Sequence, residues 1–523
     1  MSRKPNILFI ITDQQRADWL GCYGHPVLKT PNIDSLAATG TRFDEFHVAS
    51  PVCMPNRASL MTGRYPSVHG LRYNGCLLPK NSVTFVDVLA EAGYHTAGIG
   101  KSHLQPFTGI ASEPRVADDE LGYYKEARNT DSASYDIEET AHLETGLSHA
   151  VPELPYYGFE QLNLLTGHGF KSGGHYTQWL LQQDPDGLEL LKPGNQLPHN
   201  YSCPQATRLP IPEELYPTTY VKQKALNYLD SRQGRDEPFF AFVSFNDPHH
   251  PFNPPGRYWD QYKPAEFTLP PDYEQLVNPI PPMQRAREEY LSGQPPKTME
   301  TVFMASPDQI REAMALTAGM ISMIDDAVGE IIDKLKATGQ YDNTVIIFTS
   351  DHGDFLGDHS LMLKGAIPYR GITRVPFIWS DPLNRNAGSC SSLASTVDIA
   401  PSLIRRAQSK PYWGIQGRDI TPLVMNEPAA GREQLLVEYE DGMVRFGFDQ
   451  PAMVRSLLSK DHRLTLYKGQ PFGELYNLSD DPFESHNRFD DTDYRAVKAS
   501  LTESLAQQMM HAMETSPRAS RRA

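Results

Sequence analysis

Cysteine is scarce in this chain: five residues in 523, at positions 22, 53, 76, 203 and 390, with no CxxC pair. An odd number at irregular spacing excludes a disulfide framework and a zinc knuckle, and makes a reducing cytoplasm the expected location. Positive charge is short as well, 48 Lys and Arg against 64 Asp and Glu, for a formal net charge of -16. That balance argues against nucleic acid as a partner, and an anionic substrate then needs a local basic pocket. Long apolar runs are missing too. The run at 7–11, behind the basic start MSRKPN, is too short for a secretory signal, has no small-residue cleavage site, and leads directly into Thr12, Asp13 and Gln14. No stretch is long enough to span a bilayer, so a membrane partner is not expected. Nor does any internal repeat point to a solenoid.

What the chain does contain is an alternation of strand and helix patterns. Residues 6–12, with an unbroken run of Ile, Leu and Phe at 7–11, read as a buried strand ending at Asp13. A helix opens at Thr30-Pro31, helical spacing recurs at 83–92, and 95–99 reads as the next strand, closing on Gly100, Lys101 and His103. Residues 220–229 read as a helix and 238–245 as a central strand that delivers Asn246, Asp247, His249 and His250. Met314, Leu316, Ile321, Ile324, Val328 and Ile331 predict one long amphipathic helix over 307–335. Residues 344–349 are another buried strand, ending on Asp351 and His352; a strand at 374–380 and a helix at 394–405 follow.

This order predicts an α/β fold: a large mixed, mostly parallel sheet flanked by helices. Two Pro- and Tyr-rich stretches with little periodicity, about 106–217 and 251–296, read as insertions that shape a pocket. The length exceeds one ordinary core, so a catalytic domain over 1–430 and a smaller domain over 431–523 are expected. The second reads as an antiparallel sheet with a helix at about 494–513, ending in a frayed tail, SPRASRRA.

Chemistry gathers around 53–70, CMPNRASLMTGRYPSVHG. Pro55 suits the first turn of a helix that continues to Gly63, which leaves Cys53 at the N-terminal mouth, where backbone N–H groups and the dipole favour an anion. A lone cysteine is also an ordinary small buried hydrophobe, and the stretch alone leaves both readings open. In an open α/β sheet, ligands bind beyond the carboxyl ends of the strands. Those ends carry Asp13 and Gln14, Lys101 and His103, His249, and Asp351 and His352. Two carboxylates, a carboxamide oxygen and an imidazole suit calcium, magnesium or manganese better than zinc. Arg57, Lys101 and Lys364 supply positive charge for an oxyanion, while His103 and His249 suit proton transfer. Gly98-Ile-Gly-Lys-Ser is no phosphate loop, because the first glycine of that motif would fall on His95. Asp354, Asp358 and His359 invite a second metal cluster, and serve equally as caps and surface charges.

Taken together, NILFIITDQQRAD, the Cys-x-Pro-x-Arg signature CMPNR, GKSHL, PHHP, DNTVIIFTSDHGDFLGDHSLMLKG and GELYNLSDDPFESHN resemble the sulfatase family, within the group that includes alkaline phosphatases and phosphonate monoester hydrolases. The resemblance implies an alkaline-phosphatase-like fold and hydrolysis of an aryl or small alkyl sulfate. It also implies that a modifying enzyme oxidises Cys53 to formylglycine (3-oxoalanine), whose hydrate attacks sulfur through one hydroxyl while the other lets the sulfated intermediate collapse. Carried over by position, Asp13, Gln14, Asp351 and His352 look like the ligands of one divalent metal, calcium or manganese with magnesium a third candidate, completed by position 53. Arg57 resembles the arginine that orients the aldehyde hydrate, and Lys101 and Lys364 look like sulfate-binding lysines. His103 is similar to the histidine on the formylglycine hydroxyl, and His249 to the general acid, with His250 its neighbour. Asn74 stands where phosphonate hydrolases carry a substrate-binding asparagine.

The pairs Asp13-Gln14 and Asp351-His352 depart from the Asp-Asp and Asp-Asn of many sulfatases, and are similar to choline-sulfatase-like and phosphonate-hydrolase-like branches. Lys101 and His103 stand where the phosphonate branch carries tyrosine and threonine, which tilts the balance toward sulfate esters. The rivals are a phosphonate monoester or phosphodiester hydrolase with the same nucleophile, a two-metal phosphatase or mutase, and an unmodified binding protein. A small anionic ester is the expected substrate, and a homo-oligomer the expected assembly.

Overall fold

An unbroken apolar strand needs a core on each face. In the computed structural model, which describes residues 4–108, 135–138, 153–294, 299–427 and 431–521, strand β1 (Asn6–Thr12) sends Leu8 and Ile10 into one core and Ile7, Phe9 and Ile11 into the other. The remaining strands of its sheet are β2 (Thr41–Phe43), β3 (His95–Gly100), β4 (Gln161–Thr166), β5 (Gly173–Gly174), β6 (Phe239–Ser244), β7 (Thr344–Ser350), β8 (Phe377–Ser380) and β9 (Gly388–Cys390). Their spatial order is β9-β2-β8-β7-β1-β6-β3-β4-β5. The centre, from β7 to β4, is parallel throughout. Antiparallel pairs occur at β8 with β7 and β2, and at β4 with β5. The architecture is the expected large mixed, mostly parallel sheet.

Helices cover both faces. On one lie α1 (Pro31–Ala38), α3 (Pro217–Ser231) and α4 (Pro307–Ala337). On the other lie α2 (Cys53–Thr62) and α5 (Ile399–Arg406). The long helix α4 starts on a capping box between Ser306 and Gln309, has Pro307 at its first position, and carries Lys334 and Lys336 in its last turn, where they complement the dipole. Among the described residues no helix is long and apolar enough to cross a membrane. All five cysteines are unpaired.

Toward the C-terminus, β10 (Gln434–Glu440), β11 (Met453–Ser459), β12 (His462–Tyr467) and β13 (Gly473–Asn477) form a separate antiparallel sheet in chain order. Helix α6 (Arg495–His511) packs Leu501 and Leu505 against Leu436, Leu457, Leu464 and Leu475 of that sheet. The domain boundary expected at 430 lies outside the described residues, as do 109–134 and 139–152 of the first insertion.

Two readings differ from what folds. The stretch 106–217 supplies β4 and β5 to the main sheet, together with a helix, His175–Gln183. Strand β4 lies toward the sheet edge and its first three residues are only half-buried, so its sequence, QLNLLT, carries no continuous apolar run. The helix expected over 394–405 begins only at Ile399. Before it, Ala394–Ser395 pairs with Phe46–His47, and Asp398 accepts the Ser395 N–H at 2.9 Å.

Candidate active site

The parallel register brings the strand ends together. Thr12 lies opposite Ser350, so Asp13 and Asp351 leave the sheet side by side. Backbone bonds continue the ladder past the strands: Asp351 N–H to the Thr12 carbonyl at 3.1 Å, Asp13 N–H to the Asp247 carbonyl at 3.1 Å, and Lys101 N–H to the Ser244 carbonyl at 3.0 Å. Helix α2 meets this edge with its N-terminus. Val52 is the extended N-cap, Cys53 the first helical residue, and Gly63 ends the helix at φ 59°. All ten residues of α2 are buried, so its start is fixed by side-chain bonds: Asn56 Oδ1 accepts the Ala49 N–H at 3.1 Å, and Asn74 Oδ1 accepts the Met54 N–H at 3.2 Å.

Around Cys53 the groups converge. Its Sγ lies 3.0 Å from His352 Nε2, 3.2 Å from Lys364 Nζ and 3.7 Å from Asp13 Oδ1. Lys364 Nζ also reaches His249 Nε2 at 2.7 Å and Gln14 Oε1 at 2.8 Å. Arg57 is buried beneath: Nε donates to Asp351 Oδ2 at 2.7 Å, and Nη1 donates to the Lys101 carbonyl and Ser244 Oγ, both at 2.9 Å. Lys101 Nζ contacts Asp13 Oδ2 and lies 2.7 Å from His168 Nε2. Gln14 holds φ at 67°, a left-handed value for a side-chain-bearing residue, which marks local backbone strain in the candidate site.

These neighbours set the charges. Burial alone would raise the Asp13 carboxyl; Lys101, His249 and His168 outweigh it and hold the group well below the usual carboxylate range. Burial and Asp13 push the Cys53 thiol up, but Lys101, Lys364 and His352 bring it below its ordinary value. His249 is held well below the usual imidazole range by burial, reinforced by His168, His250 and Lys364.

The donor set fits a divalent cation. Ligand atoms of Asp13, Cys53, Asp351 and His352 lie within 4.8 Å of one another and all four residues are buried. His352 Nδ1 donates to the Gly353 carbonyl at 2.8 Å, which leaves the Nε2 lone pair facing the cluster. Gln14 adds a carboxamide oxygen. Its amide nitrogen donates to Asp354 Oδ2 at 2.6 Å and to His250 Nδ1 at 3.2 Å, so Oε1 is turned inward.

Of the residues singled out in the sequence, Asp13, Gln14, Cys53, Arg57, Lys101, His249, Asp351, His352 and Lys364 come together here. His103 Nδ1 has no hydrogen-bond partner among the described residues, and the ring lies against Phe107 with centroids 4.2 Å apart. Asn74 is exposed and secures the start of α2. The second metal cluster does not form: Asp354 orients Gln14, Asp358 pairs with Arg16 at 2.7 Å, and His359 pairs with Asp272 at 3.2 Å. Sequence reasoning missed His168. It follows β4, and the only signal was a glycine-flanked polar residue, TGHG, behind a strand that the composition hid.

Fold and site define the class: an alkaline-phosphatase-like α/β hydrolase. Consistent with that, the sulfatase family model matches residues 5–409, and the model for the C-terminal part of N-sulphoglucosamine sulphohydrolase matches 357–511. The chain belongs to the sulfatase family. It is 30% identical to a multifunctional alkaline phosphatase superfamily protein, PehA, of Trinickia caryophylli, over 98% of this chain and 97% of that one. It is 28% identical to an arylsulfatase of Clostridium perfringens, covering 94% and 92%. Its fold is similar to that of the phosphonate monoester hydrolase of Agrobacterium radiobacter, with a TM-score of 0.76 at 24% identity, covering 98% and 96% of the two chains.

Proposed function

We propose that this chain hydrolyses a small sulfate monoester to an alcohol and sulfate, with position 53 as the nucleophile. The observation that carries the reading is the convergence of Lys364 Nζ on Cys53 Sγ and His249 Nε2, at 3.2 and 2.7 Å. Nucleophile position, cation and proton carrier thus share one point. Oxidised to formylglycine and hydrated, position 53 would supply one hydroxyl for attack and a second for release of the product. A divalent cation held by Asp13, Gln14, Asp351 and His352 would supply Lewis-acid polarisation.

The chain's own residues do the rest. Arg57 neutralises Asp351 and ties α2 to the ends of β3 and β6, which fixes position 53 against the strand ends. Lys101 and Lys364 place two ammonium groups where charge develops on the transferring group and its leaving oxygen. His249, neutral while it accepts from Lys364, gains a proton as an anionic ester brings negative charge into this cation-rich pocket, and gives it to the leaving oxygen. Lys101 supports sulfate over the phosphonate alternative. The same ammonium, between Asp13 and His168, stands where a second cation would sit and argues against two-metal chemistry. A formylglycine-generating enzyme is the partner this reading requires.

Turnover of 4-nitrophenyl sulfate and of an aryl phosphonate monoester by one preparation tests the substrate class; a large preference for the phosphonate overturns it. Peptide mass spectrometry of residues 43–57 from the native host tests the nucleophile. Exchange of the Cys53 sulfur for oxygen is expected, and a wholly intact thiol refutes the mechanism.

A further inference from the structure

We infer that His168 is a positioning residue of this site, clamping the His249 imidazole and seating the Lys101 ammonium; the inference rests on the sulfatase reading above. The His168 ring lies flat on His249, with centroids 3.6 Å apart and planes 9° from parallel. On its other face His249 stacks on His250, at 4.0 Å and 26°. The proton carrier is therefore the middle member of a stack of three imidazoles. The outer ring of His250 is pinned by the Gln14 amide at 3.2 Å, and His249 Nδ1 is tied to the His250 carbonyl. With both faces covered, the ring turns only in its own plane, and that in-plane tie leaves Nε2 aimed at Lys364.

His168 also reaches sideways. Its Nε2 lies 2.7 Å from Lys101 Nζ and 3.5 Å from Asp13 Oδ2, so one side chain links the ammonium, the carboxylate and the proton carrier. The backbone beneath is built to hold it. Gly167 and Gly169 take φ of 67° and 51°, and a side chain at either would collide with the Lys171 carbonyl or the Pro251 ring. Asn246, just past β6, donates from Nδ2 to the Gly167 carbonyl at 3.2 Å, which couples this turn to the segment that carries His249. A residue from the sheet edge thereby orients two groups on neighbouring strands.

Proton delivery to a leaving group demands accurate placement, and a misplacement of about 1 Å costs roughly 10²-fold in rate. The cost grows as the leaving alcohol becomes more basic, because a good leaving group departs without the proton. The full-length, formylglycine-bearing chain is assayed as wild type, His168→Ala, His168→Phe and His168→Gln, with 4-nitrophenyl sulfate and phenyl sulfate. For His168→Ala we expect kcat on phenyl sulfate to fall about 10²-fold, with a clearly smaller fall on 4-nitrophenyl sulfate and little change in KM. His168→Phe, which keeps a ring over His249, recovers most of the loss on phenyl sulfate; His168→Gln, which keeps only an acceptor for Lys101, does not. Equal losses on both substrates, which loss of the Lys101 contact alone would produce, overturn the clamp on His249.

A second readout is independent of turnover. The crystal structure of His168→Ala should show the His249 ring rotated or displaced; an unmoved His249 and Lys101 refute the clamp whatever the kinetics. If the wild type hydrolyses no sulfate, the function falls, and this structure still decides the role of His168. Asp13, His168 and His249 also lie within ligand distance of one another. A second equivalent of bound metal that disappears in His168→Ala would make His168 a ligand and overturn the proposal.

Discussion

Tyr216 has one hydroxyl proton and faces two oxygens, Asp247 Oδ1 at 3.3 Å and Asn253 Oδ1 at 3.1 Å. A protonated Asp247 resolves the conflict, since its own O–H then donates to the tyrosine oxygen while Tyr216 donates to Asn253. Burial pushes the Asp247 carboxyl up to about 7, with Asp13 adding to the rise, against the hydrogen bonds from Thr218 and Tyr216. The folded chain thus keeps a proton that the unfolded chain gives up near its ordinary value of 3.8. Stability from this group is complete below about pH 4 and is lost as the pH rises to about 7. Urea unfolding across that range should show the wild type losing stability relative to Asp247→Asn, which keeps the shape without the titration. A constant difference between the two proteins contradicts the assignment.

At the scale of elements, α1 has no cap of its own. Thr30, at the N-cap position, spends its hydroxyl on Asp34 Oδ1 and the Gly21 N–H, both at 2.9 Å. The free N–H groups of Asn32 and Ile33 are instead taken by Asp325 of α4, at 3.2 and 2.8 Å, and the Asn32 side chain adds a third donor at 3.0 Å. One helix caps another across the interface, in a place where Asp325 is only 2% exposed. Asp325→Ala strands these donors and should lower stability by about 1–3 kcal/mol. Asp325→Asn, which keeps one oxygen, should lose less. The urea midpoint measures both. The sequence announced α4 by its apolar stripe, and β1, β6 and β7 by unbroken apolar runs, because those elements are buried along most of their length. It concealed β4, half-exposed at its start, and with it His168.

For the molecule as a whole, the site is the knot between segments far apart in sequence. Further bonds tie in the C-terminal part of the chain: Tyr369 donates to Glu474 Oε1 at 2.9 Å, the Arg370 N–H to Glu484 Oε2 at 2.6 Å, and the Glu438 N–H to the Ala49 carbonyl at 2.9 Å. A divalent ion held by residues 13, 351 and 352, as proposed above, would therefore stabilise the assembled chain. Chelation should lower the unfolding temperature, by the equivalent of about 4 kcal/mol if the ion was at 1,000 times its dissociation constant, and calcium or manganese should restore it. An unchanged unfolding temperature after complete removal of metal contradicts the ligand set. Sequence by itself determined the buried central strands β1, β3, β6 and β7, the polar residues at their carboxyl ends and Cys53 at a helix mouth, because burial on two faces and helix capping leave local patterns. Only the tertiary structure decided which polar residues meet. Register between segments far apart in sequence sets Asp13 beside Asp351, turns Gln14 on Asp354, and stacks His168 on His249, and no local pattern encodes a distance across a sheet.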